Sequence, residues 1–145
     1  MNKRETEVAK NLKGFTKDEL LTIQSELNLG IYDIKIDYYT SQRFSVNGTK
    51  ILGDVLKYTS DTILNSWHSS INDFNKIKEV LENLIPGFEF YRYGEGVDYL
   101  EIIDAILYTK KELLRLVKDI DVEDADEKEI KFLKLLYLKL SIENL

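Results

Sequence analysis

From Tyr99 to Ile120 the chain repeats one spacing. Tyr99, Ile103, Ile106, Lys110, Leu113, Val117 and Ile120 lie alternately four and three residues apart. That spacing places every member on one side of an α-helix, which turns once per ~3.6 residues. Only Lys110 interrupts the apolar seam, and Asp98 with Glu101 three residues on supplies a start signal. The pattern predicts one long helix. A helix with a continuous apolar stripe must bury it, so the expected fold class is mainly α. We expect a single-domain helical bundle over residues 1–145, with a small antiparallel β element at about 32–46 and a second candidate strand at 88–93.

The helical period recurs elsewhere. A short helix is predicted over about 3–13, with Val8 and Leu12 on one face and Gly14 at its end. Thr16-Lys17-Asp18-Glu19 reads as a capping box, between Phe15 and Leu20 as a hydrophobic staple. Leu20, Leu21, Ile23 and Leu27 continue it to about residue 29, where Gly30 follows. From about 49 to 68, Leu52, Val55, Leu56, Thr59, Ile63 and Trp67 form another stripe. Asn72 or Asp73 is placed to cap a helix carrying Phe74, Ile77, Val80, Leu81 and Leu84, which Pro86-Gly87 ends. Asp126 and Glu129 open a final helix over about 127–143 that is apolar over most of its circumference. Two segments break this grammar. Ile34, Ile36 and Tyr38 alternate with Lys35, Asp37 and Tyr39, and Phe44 and Val46 flank Ser45, which is the period of a strand. Phe88-Glu89-Phe90 alternates in the same way.

Composition narrows the chemistry. The chain has no Cys, which excludes disulfides, thiolate catalysis, Cys zinc sites and iron–sulfur clusters. One His excludes any site needing two. Twenty basic and 26 acidic residues give a net charge of −6. That balance opposes sequence-independent nucleic-acid binding, which needs a basic surface. Lys3, Arg4, Lys10, Lys13 and Lys17 form the best candidate basic patch, diluted by Glu5 and Glu7. No apolar run reaches the ~18–20 residues of a membrane span, and the charged start is unlike a signal peptide. The expected location is the cytoplasm, with no membrane partner. Abundant Lys, Ile and Asn and scarce Ala match the usage of an AT-rich genome, such as a low-GC bacterium or its phage.

No catalytic set assembles. His68 stands beside Ser69 and Ser70, but there is no nucleophile elbow, and a His at a helix end explains it. The acids from Asp119 to Glu129 fail as a calcium loop, because Asp124 stands where Gly is needed and Ile130 where Glu is needed. Asp98, Glu101 and Asp104 share a helix face, yet metal clusters draw ligands from several elements. Gly94-x-Gly96 is too short for a phosphate loop. No cofactor, metal or catalytic residue is expected.

Aromatic residues are more informative. The chain has nine Tyr and six Phe, and six of these fifteen fall in two bursts, Tyr38-Tyr39 and Phe88 through Tyr93. Tyr and Arg are enriched where protein partners bind, because Tyr offers a large rigid face and a hydroxyl. Tyr38, Tyr39, Tyr91, Arg92 and Tyr93 are therefore the candidate partner-binding residues; the competing reading places them in the core. The final helix needs cover on most sides. With Lys128, Lys131 and Lys134 marking a wet face, Leu133, Leu136, Tyr137 and Leu140 are expected to form a homodimer interface. Small size, acidity and the Tyr pair resemble small bacterial immunity and phage inhibitor proteins in make-up, without a shared motif. The expected function is a non-enzymatic protein-interaction module: an inhibitor, immunity or phage counter-defence factor. The alternatives are a small-ligand or nucleotide-binding regulator, with Arg92 facing a phosphate, and behind it a metal enzyme built on Asp98, Glu101 and Asp104.

Overall fold

Helices begin in this chain where a side chain accepts a hydrogen bond from an otherwise unpaired N–H, a device worth ~1 kcal/mol at each start. A computed structural model, which describes residues 1–145, shows such a start at nearly every helix. Asn2 and Glu5 box α1 (Lys3–Leu12). Thr16 and Glu19 bond reciprocally at the head of α2 (Lys17–Leu27). Asp37 caps α3 (Tyr38–Val46), and the Asp54 carboxylate reaches back to the Lys50 and Ile51 amides at the head of α4 (Leu52–Val55). Ser70 caps α5 (Ile71–Leu84). α6 (Tyr99–Leu107) is followed by α7 (Lys110–Val117), boxed by Thr109 and Glu112, and Asp126 and Glu129 box α8 (Glu127–Glu143). A π-helical turn spans Thr62–Ser66 and a 3-10 turn spans Val122–Asp124. The chain is 63% helix, mainly α and compatible with a bundle.

No strand forms, which corrects the expected β element at 32–46 and 88–93. The one β feature is an isolated antiparallel bridge between Gly30 and Ile51. Residues 38–46 are helical because Asp37 accepts from the Thr40 amide and starts a turn there. The buried members are then Thr40, Ser41 and Phe44, a helical set rather than an alternating one. Residues 88–93 stay irregular because their rings pack instead of pairing in a ladder: Phe88 lies 4.9 Å from Phe90 and 5.9 Å from Tyr99, and Phe90 lies 5.2 Å from Phe74. The expected long helix from Asp98 is two helices. Thr109 bonds the Glu112 amide, so a new helix starts there, and Lys110, the polar interruption of the seam, sits exposed in its first turn.

The chain divides into two units, one of residues 1–20 and 100–145, the other of residues 21–99. In the first, α8 packs on α7 and on α1. Leu135, Leu138 and Ile142 form its buried stripe, and Leu113 of α7 is fully buried. Lys13 Nζ donates to the Ile142 carbonyl at 3.3 Å and Lys139 Nζ to the Ile106 carbonyl at 3.1 Å. In the second unit, Leu27, Ile31, Phe44, Leu52, Ile63 and Ile77 are among the fully buried side chains. Trp67 sits 5.8 Å from Phe44 and 4.7 Å from Tyr58, ring centroid to ring centroid. No helix is long and apolar enough to cross a membrane.

Candidate functional site

The head of α3 carries the most distinctive surface of the second unit. Its base is polar. Asp37 Oδ1 accepts from Lys76 Nζ of α5 at 2.7 Å and from the Thr40 hydroxyl at 2.8 Å. Asp37 Oδ2 accepts from the Thr40 amide at 3.2 Å. The buried Thr40 hydroxyl also lies 2.8 Å from Asp73 Oδ1 of α5. A hydroxyl has one proton, so it serves one carboxylate at a time. The Lys76 ammonium, then the Thr40 hydroxyl, holds the Asp37 carboxyl well below the usual carboxylate range, and Asp37 in turn raises Lys76. Both charges are half exposed, so the pair itself stabilises little. Its effect is geometric: it pins the first turn of α3 to α5.

That turn presents Tyr38 and Tyr39 outward. Tyr38 lies 5.5 Å from Tyr32, with planes tilted by 31°. Tyr39 meets Tyr38 edge-on at 5.9 Å and 78°. Tyr32, Tyr38 and Tyr39 are 49%, 62% and 78% exposed. Tyr38 thus links Tyr32 and Tyr39 in a row of three rings that face solvent rather than the core. The edge-on Tyr38–Tyr39 contact restricts those two rings. Tyr32 was missed in the sequence because it stands six residues before Tyr38; tight turns at Asp33 to Gly30 and Ile36 to Ile34 bring it back.

The second burst divides. Phe88 is buried and Phe90 half-buried in the ring cluster described above, so this part serves the core. Tyr91 is half-buried, and its carbonyl accepts from the Ser60 amide at 2.9 Å. Arg92 and Tyr93 are exposed, and the Arg92 guanidinium lies 5.0 Å over the Tyr93 ring. The Arg92 carbonyl accepts from the Asp61 amide at 3.1 Å. Each burst therefore has its own neighbours.

On α8 the exposed line runs through Ile130, Tyr137 and Leu140; Tyr137 is 56% and Leu140 37% exposed, while Leu133 and Leu136 are half-buried. The lysines expected to mark the wet face, Lys128, Lys131 and Lys134, are exposed, and two of them also pair with carboxylates of α6. Lys134 Nζ lies 2.9 Å from Glu101 Oε1 and Lys131 Nζ 3.8 Å from Asp104 Oδ2. The phase is set by Leu135, Leu138 and Ile142, which turns the Ile130–Leu140 side toward solvent.

The remaining candidate residues have neighbours of their own. Asp98, Glu101 and Asp104 each face a different lysine, Lys57 at 3.9 Å, Lys134 and Lys131. No group of three or more His, Asp or Glu gathers as a metal would need. His68 is exposed, with a left-handed backbone at φ 53°, just past the π-helical turn. Ser69 Oγ is buried without a hydrogen-bond partner, so no Ser–His pair exists there. Burial pushes the Tyr99 phenol up, and it stays neutral within the ring cluster. No protein-family model, curated protein or solved structure matches the chain.

Proposed function

We propose that this chain is a non-enzymatic protein-interaction module, acting as an inhibitor, immunity or counter-defence factor by binding a protein partner. The observation that carries the reading is the Tyr32–Tyr38–Tyr39 cluster, three packed rings held outward by the Asp37–Thr40–Lys76 base. Exposed aromatic groups of this kind act as anchors: they bury much area for little loss of side-chain freedom. Arg92 and Tyr93 form a second, smaller contact of the same composition. The paired carboxylates on α6 support a binding role over metal chemistry, since each is already neutralised by a lysine. The guanidinium that a nucleotide phosphate would require lies over its neighbour Tyr93.

The test is affinity capture from the source cells with the wild-type chain and with Tyr38→Ala/Tyr39→Ala. A partner held by the wild type and lost by the variant is the expected result. Loss of an anchor pair of this kind costs ~2 kcal/mol or more, about thirtyfold in affinity. Equal capture by both chains removes the tyrosine cluster from the function.

A further inference from the structure

Beside the tyrosine cluster, two depressions of about 560 and 450 Å³ lie on the surface of the second unit. Both are lined by Lys35, Val80 and Asn83, so they adjoin, between the segment before α3 and the outer side of α5, and together make up a trough interrupted only by side chains. Its floor is aliphatic, with Leu29, Ile34, Leu52 and Leu84. Its rim is charged. Asp37 and Lys76 neutralise each other at 2.7 Å, which leaves Glu26, Asp33 and Glu79 against Lys35. The excess is acidic. Asp37 lines the trough and immediately precedes Tyr38, so the trough borders the aromatic surface.

This combination limits the occupant. Nucleic acid is repelled by the acidic rim. A small apolar ligand needs enclosure on most sides to be held, and the trough is open to solvent along its length. An extended or helical piece of protein suits an open trough, because it buries one face and leaves the other wet. The floor asks that face to be aliphatic and the rim asks its flanks to be cationic. We propose that the trough receives a short segment of the partner protein in which Lys or Arg flanks aliphatic side chains. The inference rests on the interaction reading above and names the chemistry of the partner.

Asn83 offers a way to close the trough without touching charge or core. It is exposed, lies on α5 and lines both depressions. Asn83→Trp fills the junction, and an unchanged helical spectrum and melting midpoint show that the fold is kept. The probe is a random library of short displayed peptides, panned against the wild-type chain. Peptides with Lys or Arg beside aliphatic residues are the expected winners, and synthetic copies should bind Asn83→Trp at least ~tenfold more weakly. Equal binding to Asn83→Trp overturns the proposal, because attraction to the net charge alone would then explain the selection. Winners without basic residues, or no winners, overturn it too. So does self-association of the wild type that Asn83→Trp abolishes, since the occupant is then a second copy. The two readings separate cleanly. Peptides lost by Tyr38→Ala/Tyr39→Ala but kept by Asn83→Trp retain the interaction function and remove the trough. The reverse pattern retains the trough and removes the tyrosine cluster.

Discussion

Gly96 is the position at which one methyl group should do the most damage. Its amide donates to the Lys57 carbonyl at 3.0 Å, and the next amide, of Val97, donates to the Leu56 carbonyl at 3.1 Å. A Cβ at Gly96 would collide with the Leu56 carbonyl oxygen and lie 2.6 Å from the Lys57 carbonyl carbon. These are backbone atoms just past α4, with Leu52, Val55 and Leu56 buried around them, so no side chain can rotate away. Relief needs the two segments to part by an amount on the order of an ångström, which breaks both hydrogen bonds. Each bond contributes ~1 kcal/mol net, and overpacking adds ~1–3 kcal/mol. Gly96→Ala should therefore cost ~3–5 kcal/mol, a large fraction of the ~5–15 kcal/mol of an ordinary domain.

Trp67 is the only Trp and lies in the same unit, packed on Phe44 and Tyr58, so its fluorescence reports the affected region directly in a urea titration. The midpoint should fall with the slope unchanged. Gly48→Ala is the control. Its φ is +91° but nothing lies within 4 Å of the added methyl, so it carries backbone strain of only ~1 kcal/mol. A loss below ~1 kcal/mol for Gly96→Ala, or one no larger than for Gly48→Ala, would refute the close seating of residues 96–97 on Leu56 and Lys57.

Asp37→Asn keeps a good helix cap and removes the charge that faces Lys76. Because the folded Asp37 carboxyl titrates below its unfolded value of ~3.9, its contribution is full above that pH and fades as pH falls further. The variant should be only slightly less stable than wild type at neutral pH, because the pair is half exposed, and that small gap should narrow on acidification below ~4 in matched urea titrations; a gap independent of pH would mean that the ion pair does not form. The homodimer expected through Leu133, Leu136, Tyr137 and Leu140, of which Tyr137 and Leu140 are exposed, would give a light-scattering mass of about twice 17.0 kDa for the wild type and 17.0 kDa for Leu140→Glu. A wild-type mass of 17.0 kDa removes the dimer.

Most helix positions were legible because their signals are local. Thr16-x-x-Glu19 and Asp126-x-x-Glu129 each place a donor and an acceptor within one turn, and both boxes form as read. The same grammar stands at Thr109-x-x-Glu112, but the long apolar spacing across it hid the break. An apolar seam records which residues share a face, not whether the backbone stays helical between them. The segment at 32–46 failed for a related reason. Its alternating pattern was real in composition, yet Ile34 is buried, Ile36 half-buried and Tyr38 exposed, so alternation does not follow burial. The deciding contact was one side-chain oxygen of Asp37 on the Thr40 amide, together with a lysine 39 residues away.

The same distinction governs the site. Residue type alone marked Tyr38, Tyr39, Tyr91, Arg92 and Tyr93; four of these are exposed and Tyr91 is half-buried. It could not separate them from Phe88 and Phe90, which belong to the same burst and pack in the ring cluster, because which side of a segment faces the core depends on partners elsewhere in the chain. Nor could it supply the trough. Glu26, Asp33 and Glu79 read as three unrelated solvated acids in the sequence; only the fold sets them along one aliphatic floor. Aromatic anchors can therefore be suspected from composition. The charge that a partner must bring is a property of tertiary arrangement, because the Asp37–Lys76 pair cancels two charges that the sequence leaves apart and leaves the acidic rim in excess. If the chain binds as proposed, its specificity would be set at that level, by which carboxylates remain uncompensated once the ion pairs have formed.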